Sequence, residues 1–118
     1  MPSRRALLSI LPLGGVAVLL SACSQPDDAA PTTTTLAITA SGGTITPNGQ
    51  RLEVTKGSTV VVTVTSDIDL HVHVHGYETE VVAKPGVPAE ASFVADKVGS
   101  FEIETHDPTQ LVANLIVR

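Results

Sequence analysis

Three histidines alternate along the stretch Asp69-Leu-His-Val-His-Val-His-Gly-Tyr-Glu78, at positions 71, 73 and 75 of a 118-residue chain, and a fourth stands at His106. Neutral imidazole is a common ligand for Cu(II), Zn(II) and Ni(II), so this row is where the chain could do chemistry. Alternate residues of a strand share one face, and successive histidines then sit roughly 6.5 to 7 Å apart along the backbone. Two neighbouring imidazoles at that spacing can converge on one ion. His71 and His75 are about twice as far apart, so three ligands from one strand need a bend or bulge, which Gly76 is placed to allow. The alternative is a solvated strand face: Leu70, Val72 and Val74 alternate with the histidines, as in any half-buried strand.

The elements that must position these residues are strands. The chain has no Trp, two Phe and one Cys, so its core must be mostly aliphatic, and its length allows a single small domain. In Thr59-Val-Val-Val-Thr-Val-Thr65, Val60, Val62 and Val64 share one face while Thr59, Thr63 and Thr65 share the other. Turn signals at 41–43, 47–49, 56–58, 84–88, 96–100 and 106–110 separate candidate strands around 36–40, 51–55, 59–65, 70–75, 78–82, 91–95, 100–104 and 111–117. No helical stretch or internal repeat competes with them. Two packed antiparallel sheets are the simplest way for so many short amphipathic strands to bury one face each, so the expected fold class is an all-β sandwich over residues 36–118.

Ahead of this domain, Arg4 and Arg5 precede an apolar run from Ala6 to Leu20 and small residues ending at Cys23, the three-part pattern of an export signal over residues 1–22. Pro12, Gly14 and Gly15 interrupt the run, which argues against a permanent span. Leu20-Ser21-Ala22-Cys23 resembles the lipobox of bacterial lipoproteins, which implies lipidation of Cys23 and cleavage before it. Several acyl chains on one residue give stable anchoring, so the expected location is the outer face of the cytoplasmic membrane. Ser3 to Leu8 also resembles a twin-arginine signal, with Leu7 in place of the usual Phe and no following basic residue, so the export route stays open. Residues 23–35, Pro-, Asp- and Thr-rich, read as the lipidated N-terminus and a flexible tether. Removing Arg4 and Arg5 from the seven basic residues leaves five against twelve acidic ones, a formal charge of −7. That excludes nucleic acid as an expected partner and is permissive for cations.

Leu52 to Asp67, the histidine strand, and Gly99 to Val117 together resemble the cupredoxins, the small Greek-key sandwiches that bind copper. The resemblance covers nearly all of 36–118 and implies one histidine ligand within His71 to His75 and a second at His106. The family's cysteine falls on Ile103 and its axial methionine near Leu111. A blue copper centre depends on that thiolate, and beyond Cys23 the chain has neither Cys nor Met. The resemblance therefore implies the fold and two ligand positions, not an electron carrier. The expected site becomes two neighbouring strand histidines with His106, completed by water or by Asp67, Asp69, Glu104 or Asp107. Its nitrogen and oxygen donors favour Cu(II), then Zn(II), with Ni(II) third. Ligation needs neutral imidazole, so binding should weaken as pH falls through the ordinary histidine range near about 6.5.

Phe93, Phe101 and Ile103 are expected to pack the core, with Tyr77 at its end and its hydroxyl exposed. Glu102 and Glu104 read as the wet side of a strand. The chain has no phosphate-binding glycine loop and no nucleophile elbow, so the expectation is a binding protein rather than an enzyme. The leading reading is a lipid-anchored module that binds or relays a transition metal. The alternative is a metal-free interaction module with an envelope protein as partner.

Overall fold

The computed structural model describes residues 14–15 and 29–118. The expected export signal apart from Gly14 and Gly15, the Cys23 anchor and the tether up to Asp28 lie outside the described residues. Nine strands follow: β1 (Thr33–Ser41), β2 (Thr44–Thr46), β3 (Gln50–Val54), β4 (Thr59–Ser66), β5 (Leu70–Val74), β6 (Thr79–Ala83), β7 (Ala89–Val94), β8 (Gly99–His106) and β9 (Gln110–Val117). They form a four-stranded sheet in the order β2-β1-β4-β7 and a five-stranded sheet in the order β3-β9-β8-β5-β6. The all-β sandwich is thus present, and no helix occurs among the described residues.

Alternation decides what each strand buries. In β4, Val60, Val62 and Val64 are fully buried, and from β1 Leu36, Ile38 and Ala40 join them. Leu70, Val72 and Val74 of β5, Ile103 of β8, and Val112 and Leu115 of β9 face them from the other sheet. The core is as aliphatic as the composition requires, and each such Val contributes roughly 2 kcal/mol on burial. Phe93 and Phe101 pack on its margin rather than inside it. Tyr77 joins them there, with ring centroids 4.7 Å from Phe93 and 4.9 Å from Phe101. Its hydroxyl is exposed, as expected, and there donates to Lys97 O at 2.8 Å and accepts from Lys97 N at 3.1 Å.

Three features depart from the sequence reading. The tether was expected to run to Thr35, but β1 begins at Thr33, and Thr33, Thr34 and Thr35 pair with Thr59, Val60 and Val61. A run of threonines on an edge of hydrogen-bonding partners is good strand sequence, and its low hydropathy hid it. The second is β2, three residues between two turns, too short to show periodicity. The third concerns direction: both sheets are mixed, with β1 parallel to β4 and β3 parallel to β9, the other pairs being antiparallel. Hydrophobic alternation reports which face is buried and not which way a neighbour runs.

Candidate metal centre

Because Leu70, Val72 and Val74 take the core face of β5, the histidines of that strand must take the outer face of the five-stranded sheet, where they are half-buried. β8 lies beside β5 and runs antiparallel to it. Its register sets His106 opposite His71, Thr105 opposite Val72 and Glu104 opposite His73. A backbone bond from His75 N to Glu102 O at 2.9 Å continues the ladder past the end of β5. Glu102, Glu104 and His106 are therefore the cross-strand partners of His75, His73 and His71. On the other side β6 brings Glu80 opposite His73 and Val82 opposite His71. Six donor residues and Glu80 form one ledge on the sheet surface.

His106 was read as part of a turn, yet it is the last residue of β8. The turn beyond it is closed by Thr105, fully buried, whose Oγ1 donates to Pro108 O at 2.6 Å. In the β8–β9 ladder Ile103 pairs with Ala113 and Glu104 with Leu111, so Val112 is an extra residue on β9. This bulge buries Val112 and Ala113 together and leaves Leu111 beside Glu104 on the outer face.

The ledge is close-set. The ring centroids of His73 and His75 are 4.6 Å apart, nearer than strand spacing gives, because the chain leaves β5 at Val74 and turns through His75 and Gly76. His106 has His71 at 5.7 Å and His73 at 5.9 Å, centroid to centroid. His75 Nε2 lies 2.6 Å from Glu104 Oε1, and since an ionised carboxylate only accepts, the imidazole donates. His71 Nε2 stands 3.2 Å from Glu80 Oε2 without the alignment of a hydrogen bond, and this covered nitrogen has no other partner. Among the described residues, the ligand atoms of His75, Glu102 and Glu104 all lie within 4.8 Å of one another. The expected trio of two strand histidines with His106 is brought onto one surface but not into so tight a set.

Of the carboxylates considered, Glu104 is at the centre. Asp69 is paired with Lys84 at 3.4 Å, and Asp67 accepts from Gly42 N at 2.8 Å, away from the ledge. Asp107 sits in the turn with φ of 51°. Glu102 and Glu80 were not singled out as ligands. Glu102 was legible as the residue two before Glu104 on the same strand face; Glu80 needed the β5–β6 register.

The hydrogen bond from His75 holds the Glu104 carboxyl below its ordinary range, helped by the charges of His75, His106 and His73 and opposed by burial. A carboxylate depressed on folding adds stability that is full above its unfolded value of 4.5 and is lost as pH falls through the lower folded value. In the metal-free chain, Glu104→Gln should therefore flatten the loss of stability below about pH 4.5, where the unaltered chain weakens. Denaturant midpoints between about pH 5 and pH 3 measure it, and parallel curves for the two chains would contradict it.

These residues do not fit a blue copper centre. Ile103, at the cysteine position, is fully buried in the core opposite Val74, on the other side of the sheet from every histidine of the ledge. The donors present are imidazole nitrogen and carboxylate oxygen.

No family model matches the chain, and no curated protein matches it. Solved structures do. A chain of a heme-copper terminal oxidase dimer superposes with a TM-score of 0.55 at 22% identity, covering 72% of this chain and 65% of that one. A multi-copper oxidase from Pseudomonas thermotolerans gives 0.57 at 18% identity over 75% of this chain and 30% of the other. Copper nitrite reductase from Nitrosomonas europaea gives 0.57 at 19%, over 73% and 41%. The present chain thus spans between about a third and two thirds of their lengths. At these identities the likeness establishes the fold, which is cupredoxin-like, as the histidine-strand resemblance implied.

Proposed function

We propose that this domain binds a divalent transition-metal ion on the outer face of its five-stranded sheet, Cu(II) first and Zn(II) second, and that it acts as a metal-binding or metal-relaying protein rather than as an enzyme. The observation that carries the reading is the convergence of His75, Glu102 and Glu104 within 4.8 Å beside three further imidazoles. A mixed nitrogen and oxygen set of this kind suits Cu(II), Zn(II) or Ni(II) and lacks the thiolate of an electron carrier. Exposure on a sheet face leaves room for water in the remaining coordination positions and for an ion to enter and leave. The lipobox-like Leu20-Ser21-Ala22-Cys23 supports placing the protein, lipidated at Cys23, on the outer face of the cytoplasmic membrane, where it would meet metal before the cytoplasm does.

Calorimetric titration of the full-length chain in mild detergent at neutral pH tests this. Saturable binding of Cu(II) or Zn(II), reversed by a chelator, is the expected result; no saturable binding of either ion defeats the reading.

A further inference from the structure

The chain enters the sandwich at one end and is clamped there at once. Thr32 N donates to Ser58 Oγ at 3.1 Å and Thr59 N donates to Thr32 O at 2.9 Å. Pro31 lies against Gly57, where a Cβ would sit 3.3 Å from the proline Cγ. Only residues 24–30 therefore separate Cys23 from the folded domain. Covalent geometry lets that stretch span at most about 30 Å, roughly the length of β1 itself. With Cys23 anchored, this reach keeps the entry end within touching distance of the bilayer, and the residues exposed there decide whether it touches.

The entry end is knit from neighbouring turns. Lys56 N donates to Arg118 O at 2.7 Å, Gly57 N donates to Ala95 O at 2.8 Å, Gly99 pairs with Val117, and Lys97 Nζ donates to Gly76 O. These contacts gather Lys56, Lys97 and Arg118, three of the five Lys and Arg residues that follow Cys23. Val94 and Val98 are exposed at the same end, by 52% and 63%. Of the acids nearby, Glu53 is engaged by Arg51 and Arg118, which leaves Glu78 and Asp96 against Lys56 and Lys97. The opposite end differs in charge. Ile68, Val82 and Val87 are exposed there too, but Asp67, Asp69 and Asp107 accompany them, and Lys84 is already paired with Asp69. The domain is thus close to neutral where the chain enters and acidic at the far end, a polarity that turns the entry end toward an anionic surface.

We propose that the entry end rests on the membrane, with Val94 and Val98 in the headgroup layer of an anionic bilayer and Lys56 and Lys97 against lipid phosphates. The sandwich then stands upright on its short tether, and the β4–β5 and β8–β9 turns point away from the lipid. The proposal rests on the lipid anchor at Cys23 and not on metal binding. It also orients the histidine ledge, with His75 toward the membrane and His106 at the distal end.

The chain has no Trp, so a single introduced one reports its own surroundings. Full-length chain carrying Val98→Trp, or Val87→Trp as the far-end counterpart, is incorporated into phosphatidylglycerol and phosphatidylcholine vesicles with acyl chains brominated near the headgroup. Both positions are exposed, by 63% and 60%, so neither substitution disturbs the core. Val98→Trp should emit further to the blue and lose fluorescence to the bromines, and Val87→Trp should do neither. The quenching should fall when Lys56→Gln and Lys97→Gln are added, and when salt is raised to about 1 M, where the screening length is about 3 Å. Circular dichroism checks each fold, and the salt series decides the matter if the lysine pair does not fold. Equal quenching at the two positions, or none for Val98→Trp, overturns the proposal. Mass spectrometry of Cys23 separates the premise from the inference. An unacylated Cys23 overturns the anchor and the orientation built on it, whereas an acylated chain in which Val98→Trp stays unquenched overturns the orientation alone.

Discussion

His75→Ala weakens metal binding on the ledge by more than about 100-fold. Loss of a residue that only orients a ligand costs about 10- to 100-fold in metal affinity, and His75 is itself a donor. It also donates to Glu104 at 2.6 Å, so the substitution removes a ligand and frees the carboxylate that it orients. Competition against a chelating dye reads the change. Glu53→Gln is the control: Glu53 is exposed on β3 and bonded to Arg51 and Arg118, so its removal leaves metal affinity where it was. Equal affinities for His75→Ala and the unaltered chain would mean that the ion sits elsewhere.

Gly76→Ala destabilises the fold by about 3 kcal/mol, the sum of a left-handed backbone cost of about 1 to 2 kcal/mol and an overpacking cost of about 1 to 3 kcal/mol. Gly76 has φ of 82°, and a Cβ there would overlap Phe101 Cδ1 and lie 2.7 Å from Cε1. Neither neighbour yields readily. Phe101 is held by Tyr77, whose hydroxyl is fixed to Lys97, and Lys97 Nζ reaches back to Gly76 O. For a domain of this size the loss corresponds to a melting temperature lower by about 10 to 20 °C. Calorimetry measures it, and a variant melting within about 2 °C of the unaltered chain would show that the turn relaxes without resistance. The same glycine lets His75 leave the strand and approach His73, so the position serves both fold and site.

Much of this was legible in the chain. Thr59 to Thr65 alternates so cleanly that β4 and its buried valines follow from period alone, and eight of the nine strands lie close to where they are expected. The histidine strand showed its alternation but not which of its two faces is buried; the structure puts Leu70, Val72 and Val74 inside. What the chain could not show is register. His71 faces His106, and His75 reaches Glu104, because β5 and β8 pair in one alignment, and nothing local to either strand sets that alignment. His106 looked like a turn residue because Asp107 and Pro108 follow it at once, yet the buried Thr105 closes that turn and keeps His106 on the strand. Glu102 was hidden by its ordinariness, since a glutamate on the wet side of a strand needs no explanation until its neighbours are known. Glu80 lies on a different strand altogether, and only the β5–β6 pairing brings it to His71 and His73.

The central claim is that an ion is held on the sheet face by His75 and Glu104. A crystal of the Cu(II)-loaded chain, with diffraction recorded at the copper absorption edge, tests it most directly. An anomalous peak about 2.0 to 2.2 Å from a ring nitrogen of His75 and from a carboxylate oxygen of Glu104 is the result expected. A peak placed only at other residues, or no peak in a crystal saturated with copper, would contradict it.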